Sequence, residues 1–310
     1  MTTMKSARIH EYGDTSVIRH ETVDRPRPAP GEVLVRVAAT SFNPTEAALR
    51  AGLLHAFLPV DLPYTLGWDV AGTVVEIGPG TEGPAIGDRV IGRLGAGGAA
   101  AEYVRAPADL LVPAPRSVPL AHAAALPVAG LTAWQAVFEH GKVVAGRRVL
   151  VNGAGGGVGG FVTQLAKYAG AEVIATAGPR STDAVRGQGA DRVIDYTAGP
   201  VGDALDGPVD TLLNLVPLGP RDAAALATLV RPGGRIVSIA TPIEPTAGTG
   251  VSTKHMVARN DVADLAALVN LVDAAALGID ISESRALSDL ADVHRSSESG
   301  RIRGKVLIIP

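Results

Sequence analysis

The chain has 310 residues, 46% of them hydrophobic, a formal net charge of −3 and no cysteine. That length is enough for two domains with separate cores, and a near-neutral balance without a basic run offers nothing to nucleic acid or to an anionic membrane surface. The lack of cysteine excludes disulfides and any thiolate metal site.

Residues 1–13 alternate polar and apolar side chains and lack the unbroken apolar stretch of a secretory signal. Every apolar run is interrupted by Gly, Pro, His or charge before it reaches the length of a membrane span. A cytoplasmic protein is the expectation. From residue 4 to about 115, short β segments recur between Gly and Pro, with strands predicted over 33–38, 72–77, 88–92 and 101–105. Such spacing reads as a small β barrel or sandwich. Within it, Asn43-Pro44-Thr45-Glu46 has the form of a helix start, with Asn43 as N-cap, Pro44 at N1 and Glu46 at N3 of a capping box.

The rhythm changes near residue 120. A helix-like stretch over 121–139, interrupted at Pro127, leads into strands predicted over 149–151, 173–176, 192–195, 209–214 and 235–239, with helical segments between them. That alternation implies a parallel sheet covered by helices on both faces. After a loop around 242–250 come a helix over 261–277 and a strand over 306–309. The tail is expected to return to the first domain, so that 1–120 and 263–310 form one domain and 121–262 the other.

Residues 148–170 carry the strongest signal. An apolar strand, Arg148 to Asn152, meets a turn in which Gly153, Gly155, Gly156, Gly157, Gly159 and Gly160 crowd together, and an amphipathic helix follows. Val158, Phe161, Val162, Leu165 and Ala169 share one helical face, and Gly170 is placed to end the helix. Glycines let backbone approach a pyrophosphate, and the free N–H groups and positive dipole end of a helix hold its charge. Strand, turn and helix together read as a dinucleotide site.

The second strand of such a unit ends in Asp or Glu where the ribose hydroxyls of NAD are bound. Here it is followed by Gly178-Pro179-Arg180-Ser181, with no carboxylate before Asp183. Nothing repels a 2′-phosphate, and Arg180 could pair with it bidentately. Arg180 reads equally as a solvated arginine at a helix start. The chemistry favours NADPH over NADH.

Several further segments carry a family resemblance. They are Asn43-Pro44-Thr45-Glu46, Arg50-Ala51-Gly52, Gly67-Trp68-Asp69-Val70-Ala71-Gly72, Gly87-Asp88-Arg89-Val90, Ala101-Glu102-Tyr103-Val104, Leu131-Thr132-Ala133, the glycine turn, Gly189-Ala190-Asp191 and Gly304-Lys305-Val306-Leu307. In this order and spacing the chain resembles the medium-chain dehydrogenase/reductase superfamily, and within it the zinc-free quinone oxidoreductase branch. The resemblance implies an α/β plus β fold, a Rossmann doubly wound parallel sheet with a GroES-like β-barrel domain. It also implies NADPH as coenzyme and a homodimer joined through the nucleotide domain. Coenzyme contacts are implied for Asn43, Thr132, Gly155, Gly156, Gly157, Val158, Gly178, Arg180, Ser181, Tyr196, Ala240 and Lys305.

Around the substrate, Tyr64 and Trp68 offer flat aromatic walls, with core packing as the plainer reading. Asn43 is implied to serve substrate as well as coenzyme. Arg50 could polarise a substrate oxygen, although a salt bridge is the commoner role. Tyrosines that some relatives carry after the equivalent of Asn43 are Ala48 and Leu54 here, and no general acid is assigned.

Zinc-dependent relatives hold their ion with Cys and His. This chain has no Cys, places Trp68 after Gly67 where those enzymes have His, and spaces none of its seven histidines as metal ligands. No metal is expected. Quinones and α,β-unsaturated carbonyls delocalise the charge that a hydride brings and need only hydrogen bonds at oxygen. The expected activity is metal-free, NADPH-dependent reduction of such acceptors. The alternatives are an ene reductase specific for one biosynthetic intermediate, or an NADPH-binding protein with little turnover.

Overall fold

The structure, a computed structural model, describes residues 2–310. Its amino-terminal part contains strands β1 (Thr3–Ile9), β2 (Ile18–Asp24), β3 (Glu32–Ser41), β4 (Tyr64–Thr65), β5 (Asp69–Ile77), β6 (Arg89–Arg93), β7 (Tyr103–Pro107) and β8 (Leu111–Pro113), with helix α1 (Pro44–Arg50) after β3. Alternation decides the packing. Val33, Val35 and Val37 leave β3 on one face and meet Val70 and Val74 of β5, Val90 of β6 and Val104 of β7 in one core. A second core gathers Ala7 and Ile9 of β1 with Phe42, Leu49, Leu66 and Trp68.

Helices α2 (Leu120–Ala123) and α3 (Pro127–Trp134) follow, and α3 runs into a π-helical turn, Gln135–His140. The next region alternates as predicted: β9 (Arg148–Asn152), α4 (Gly157–Tyr168), β10 (Glu172–Ala177), α5 (Thr182–Gly187), β11 (Arg192–Asp195), β12 (Val209–Asn214), α6 (Pro220–Ala227), β13 (Val230–Ser238) and β14 (Ser252–His255). Its strands form one parallel sheet in the order β11-β10-β9-β12-β13-β14. That is the doubly wound Rossmann order, with the direction of winding reversing between β9 and β12. Val149, Leu150 and Val151 are wholly buried, as expected of a central strand covered on both faces.

The chain then forms α7 (Val262–Asp273), β15 (Ile281–Ala286), α8 (Leu290–Glu298) and β16 (Lys305–Ile309). Asp261 caps α7 by accepting from the N–H groups of Ala263 and Asp264. β16 pairs antiparallel with β3 and parallel with β15, giving the sheet β15-β16-β3-β5-β6-β8 with β7 also on β3; β2-β1-β4 form a smaller sheet. This is the GroES-like part.

The first unit takes in the chain to Ala129, then Asn260–Ala275 and Ile281–Pro310; the second is Gly130–Arg259 with Ala276–Asp280. The first crossing falls later than residue 120 because α2 packs on β3 and β5. Residues 276–280 join the second unit through Gly278, which exchanges two hydrogen bonds with the Gln164 amide (2.7 and 3.1 Å). Among the described residues no helix is long and apolar enough to cross a membrane.

Candidate functional site

At the carboxyl end of β9 the chain turns through Gly153, whose φ of +93° is costly for any residue with a Cβ. The Gly153 N–H donates to Thr176 Oγ1 (2.9 Å) and the Ala154 N–H to the Thr176 carbonyl (3.1 Å), so the turn is hung from β10. Gly156 is the N-cap of α4. It brings no side-chain cap, and the first helical turn holds no acidic residue. The opening N–H groups of α4 have no partner within the helix, and with neither a side-chain cap nor an acidic residue beside them they leave the positive end of the helix uncompensated. A Cβ on Gly159 would run into the carbonyl oxygens of Gly153 and Ala154, which is why the helix can start so close under the strand. Phe161, Val162, Leu165 and Ala166 bury the inner face of α4 while Val158 stays half-buried at its mouth. Gly170, with φ +83°, ends the helix as predicted.

The neighbouring strand ends bring more of the predicted residues to the same edge. Ser181 Oγ donates to the Gly178 carbonyl (3.3 Å) and fills the space a Cβ on Gly155 would need. The Tyr196 hydroxyl lies 3.4 Å from where a Cβ on Gly178 would sit, and the residue is 56% exposed. Arg180 is exposed on the same turn. The nearest following carboxylate, Asp183, is exposed and faces Arg186 at 3.6 Å. Gly155, Gly156, Gly157, Val158, Gly178, Arg180, Ser181 and Tyr196 thus share the carboxyl edge of β9–β11. Ala240 follows β13 in the same sheet, its N–H directed at Ser238 Oγ (3.4 Å). Thr132 is half-buried on α3.

The first unit gathers Asn43 and Lys305 into a buried cluster with two carboxylates that the sequence did not single out as site residues, Glu46 and Asp69. All four are at most 4% exposed. The Asn43 amide donates to Glu46 Oε1 (3.1 Å), Asp69 Oδ2 (2.9 Å) and the Ser41 carbonyl (3.3 Å). The Gly67 N–H donates to Glu46 Oε2 (2.8 Å), the Ser41 hydroxyl to Asp69 Oδ2, and the Val128 N–H to Asp69 Oδ1 (2.7 Å). Lys305 Nζ donates to the Phe42 carbonyl (3.0 Å) and to Asn43 Oδ1 (2.8 Å) and stands 3.7 Å from Asp69 Oδ2. Burial pushes the Glu46 carboxyl up to about 7; the nearby Asp69 charge adds to this, and bonds from Asn43 and the Gly67 N–H oppose it. Burial also pulls the Lys305 ammonium below its usual range, against the pull of Asp69 and Glu46.

This part of the structure bears on four expectations. The capping box is replaced by a different pattern: Asn43 is the N-cap and Pro44 is at N1, yet no side chain caps α1, and Glu46 accepts from the Asn43 amide instead of from its backbone. Lys305 turns inward: its ammonium makes two hydrogen bonds within the unit and faces Asp69 at 3.7 Å. The Asn43 amide hydrogens are likewise engaged within the unit, and its Oδ1 accepts from Lys305. Arg50 is 1% exposed, donates to the Gly13 carbonyl (2.7 Å) and pairs with Glu298, which makes it a buried strut and removes it from any substrate. For Tyr64 and Trp68 the packing fits the plainer of the two readings: both lie in the core, the Trp68 Nε1–H donating to the Tyr64 hydroxyl (2.9 Å). Helical spacing could have paired Glu46 with Asn43, but nothing local links either to Asp69 or to Lys305.

Residues 29–116 match the alcohol dehydrogenase GroES-like domain, and residues 188–308 match the family described as zinc-binding dehydrogenase. Zinc does not fit this chain's own donors: it has no cysteine, and among the described residues no group of three or more His, Asp or Glu side chains could hold an ion. A chloroplast envelope quinone oxidoreductase homolog from Arabidopsis thaliana is 33% identical over 99% of this chain and 98% of its own. The solved quinone oxidoreductase of Coxiella burnetii is 30% identical, with complete coverage of both chains and a TM-score of 0.90. A mycobacterial protein solved in complex with NADPH is 28% identical over 99% of this chain and 100% of its own, with a TM-score of 0.85. With full-length similarity on both folded units, this chain belongs to the quinone oxidoreductase branch of the medium-chain dehydrogenase/reductase superfamily.

Proposed function

We propose that the protein is an NADPH-dependent reductase that delivers a hydride to a quinone or an α,β-unsaturated carbonyl without a metal ion. One observation carries this reading: the carboxyl edge of β9–β11 joins the uncapped start of α4 to Arg180, Ser181 and Tyr196, with no carboxylate between β10 and Asp183. The N–H groups of Gly157 and Val158 would hold the pyrophosphate, and Arg180, Ser181 and Tyr196 the 2′-phosphate. The mycobacterial relative solved with NADPH and the relatives named as quinone oxidoreductases support the same assignment.

When bound, the coenzyme supplies a hydride at nicotinamide C4. The protein's share is to bind and orient it by the glycine turn. A conjugated acceptor spreads the added charge to its own oxygen, so hydrogen bonding there suffices and a Lewis acid is not needed. No side chain of this chain is assigned as proton donor, and water supplies the proton. A homodimer belongs to the same reading.

The test follows reduced-nicotinamide absorbance with a panel of quinones, enones, simple aldehydes and alcohols, alongside NADPH and NADH titrations. Turnover of quinones or enones with NADPH is expected. Equal activity with simple alcohols and NAD would overturn the metal-free assignment. Tight NADPH binding with no turnover of any acceptor would make the protein a binder.

A further inference from the structure

Four consecutive strands of the second unit each place one polar side chain at the same level beneath the carboxyl edge. These are Thr176 on β10, Asn152 on β9, Asn214 on β12 and Ser238 on β13. Asn214 is in register with both Asn152 and Ser238. All four are buried, at 1, 6, 0 and 1% exposure. Buried polar groups on a central sheet are costly unless each is satisfied, and here they satisfy one another in a single file. Thr176 Oγ1 donates to Asn152 Oδ1 (2.9 Å), Asn152 Nδ2 to Asn214 Oδ1 (2.8 Å), Asn214 Nδ2 to Ser238 Oγ (3.0 Å), and Ser238 Oγ to the Thr241 carbonyl (2.6 Å).

The direction of the file is fixed by its ends. At one end the Gly153 N–H can only donate, and it donates to Thr176 Oγ1 (2.9 Å). At the other, the carbonyls of Thr241 and Val216 can only accept, from Ser238 Oγ and from Asn214 Nδ2 (3.0 Å). Every amide and hydroxyl between them is thereby oriented, and hydrogen bonds aligned head to tail strengthen one another. The Gly153 amide at the first end opens the glycine turn. The far end holds the loop after β13, where Thr241 exchanges hydrogen bonds with Leu218 (2.9 and 3.5 Å).

We infer that Thr176, Asn152, Asn214 and Ser238 act as a positioning relay that sets the glycine turn from β13, two strands away. Its effect on nucleotide binding rests on the function proposed above; its effect on the turn does not. None of the four is a catalytic residue. Their part is to hold the Gly153 amide, and through it the first turn of α4, in one orientation.

The experiment compares the full-length protein with Thr176→Val, Thr176→Ser and Ser238→Ala. It reads amide hydrogen exchange at Gly153 and Ala154, the dissociation constant for NADPH, and thermal unfolding. Ser238→Ala removes a hydroxyl from the far end, yet exchange at Gly153 is expected to quicken and NADPH binding to weaken by up to about tenfold, the worth of one or two neutral hydrogen bonds. Thr176→Val is expected to do at least as much, and Thr176→Ser, which keeps the hydroxyl, to restore protection. A lower unfolding temperature with unchanged Gly153 exchange in Ser238→Ala would make the row a purely structural filler and overturn the relay. If Gly153 exchange responds but wild type binds no NADPH, the relay stands and the proposed coenzyme falls. Should Ser238→Ala not fold, Ser238→Cys, which keeps the side-chain size but hydrogen-bonds only weakly, decides the question by the same exchange readout.

Discussion

Glu46, Asp69 and Lys305 carry formal charges into the interior of the first unit, whereas Thr176, Asn152, Asn214 and Ser238 carry none into the second. Both groups are buried and hydrogen-bonded, but they differ in what removal of a member leaves behind. In the charged cluster each ion compensates another, so a missing partner strands a charge out of water. In the neutral row a missing partner strands a dipole. The first arrangement ties β3, α1, β5 and β16 together through hydrogen bonds made within the unit. The second ends on a backbone amide of the glycine turn and so remains connected to the candidate coenzyme site.

The sharpest way to test this contrast is Lys305→Met. It leaves Asp69 and Glu46 facing each other without their ammonium, and removal of one partner from a buried ion pair costs about 3–5 kcal/mol. Urea unfolding near neutral pH should show a loss of that size, with NADPH affinity of the folded protein little changed. If Lys305 instead served the coenzyme, stability would survive and affinity would collapse.

Next in size is a pH effect that belongs to the charged cluster alone. Burial holds the Glu46 carboxyl near 7 in the fold, against 4.5 for an ordinary glutamate. A group whose folded value is raised binds its proton more tightly in the native state. Its contribution is therefore fully present below about pH 4.5 and is lost as pH rises through 7. Between those limits wild type should lose up to about 3 kcal/mol relative to Glu46→Gln, which has no carboxyl to ionise. Parallel stability curves for the two proteins from pH 5 to pH 8, as measured by urea unfolding, would remove Glu46 from this role.

How much of either group was legible in the sequence follows from the range of the forces involved. Apolar patterning marked β3, β5, β9, β10 and β12, as alternation in β3 and as short apolar runs in the strands of the parallel sheet, because apolar side chains of these strands enter a core. β14, whose four residues Ser252–His255 are all exposed, gave no such signal, since it is held through backbone pairing with β13. β15, with the polar run Ser282 to Arg285, escaped for the same reason. The glycine turn was readable because much of its chemistry is local: Gly156 and Gly159 lie against backbone atoms of residues 153–154. The charged cluster was not, because Asp69 and Lys305 reach Asn43 only once β3, β5 and β16 have paired. A salt bridge was the commoner reading of Arg50, but its partner could not be named for the same reason: Glu298 arrives with α8.

Gly159→Ala probes the turn itself. The added methyl meets backbone oxygens of Gly153 and Ala154, which cannot swing aside as a flexible side chain would. Overpacking of this kind costs about 1–3 kcal/mol. The displaced start of α4 should also weaken NADPH binding, seen as a higher dissociation constant together with a lower melting temperature. Unchanged binding would place the pyrophosphate elsewhere.

The smallest expected effect separates the coenzyme reading from everything structural. Arg180 is exposed on the turn after β10, where side-chain ion pairs are worth at most about 1 kcal/mol, so Arg180→Ala should change the unfolding temperature little. A charge-assisted hydrogen bond to phosphate is worth more than a neutral one, about 1.5–3 kcal/mol, which corresponds to a loss of NADPH affinity of at least about tenfold. NADH lacks the 2′-phosphate and should bind the variant as it binds wild type. The ratio of the two dissociation constants is therefore the decisive quantity, because a general disturbance of the turn would lower both affinities together. The contribution should also fade with added salt, as an ion pair at an exposed position must. A ratio unmoved by the substitution at low salt would assign the preference between NADPH and NADH to Ser181 and Tyr196 without Arg180.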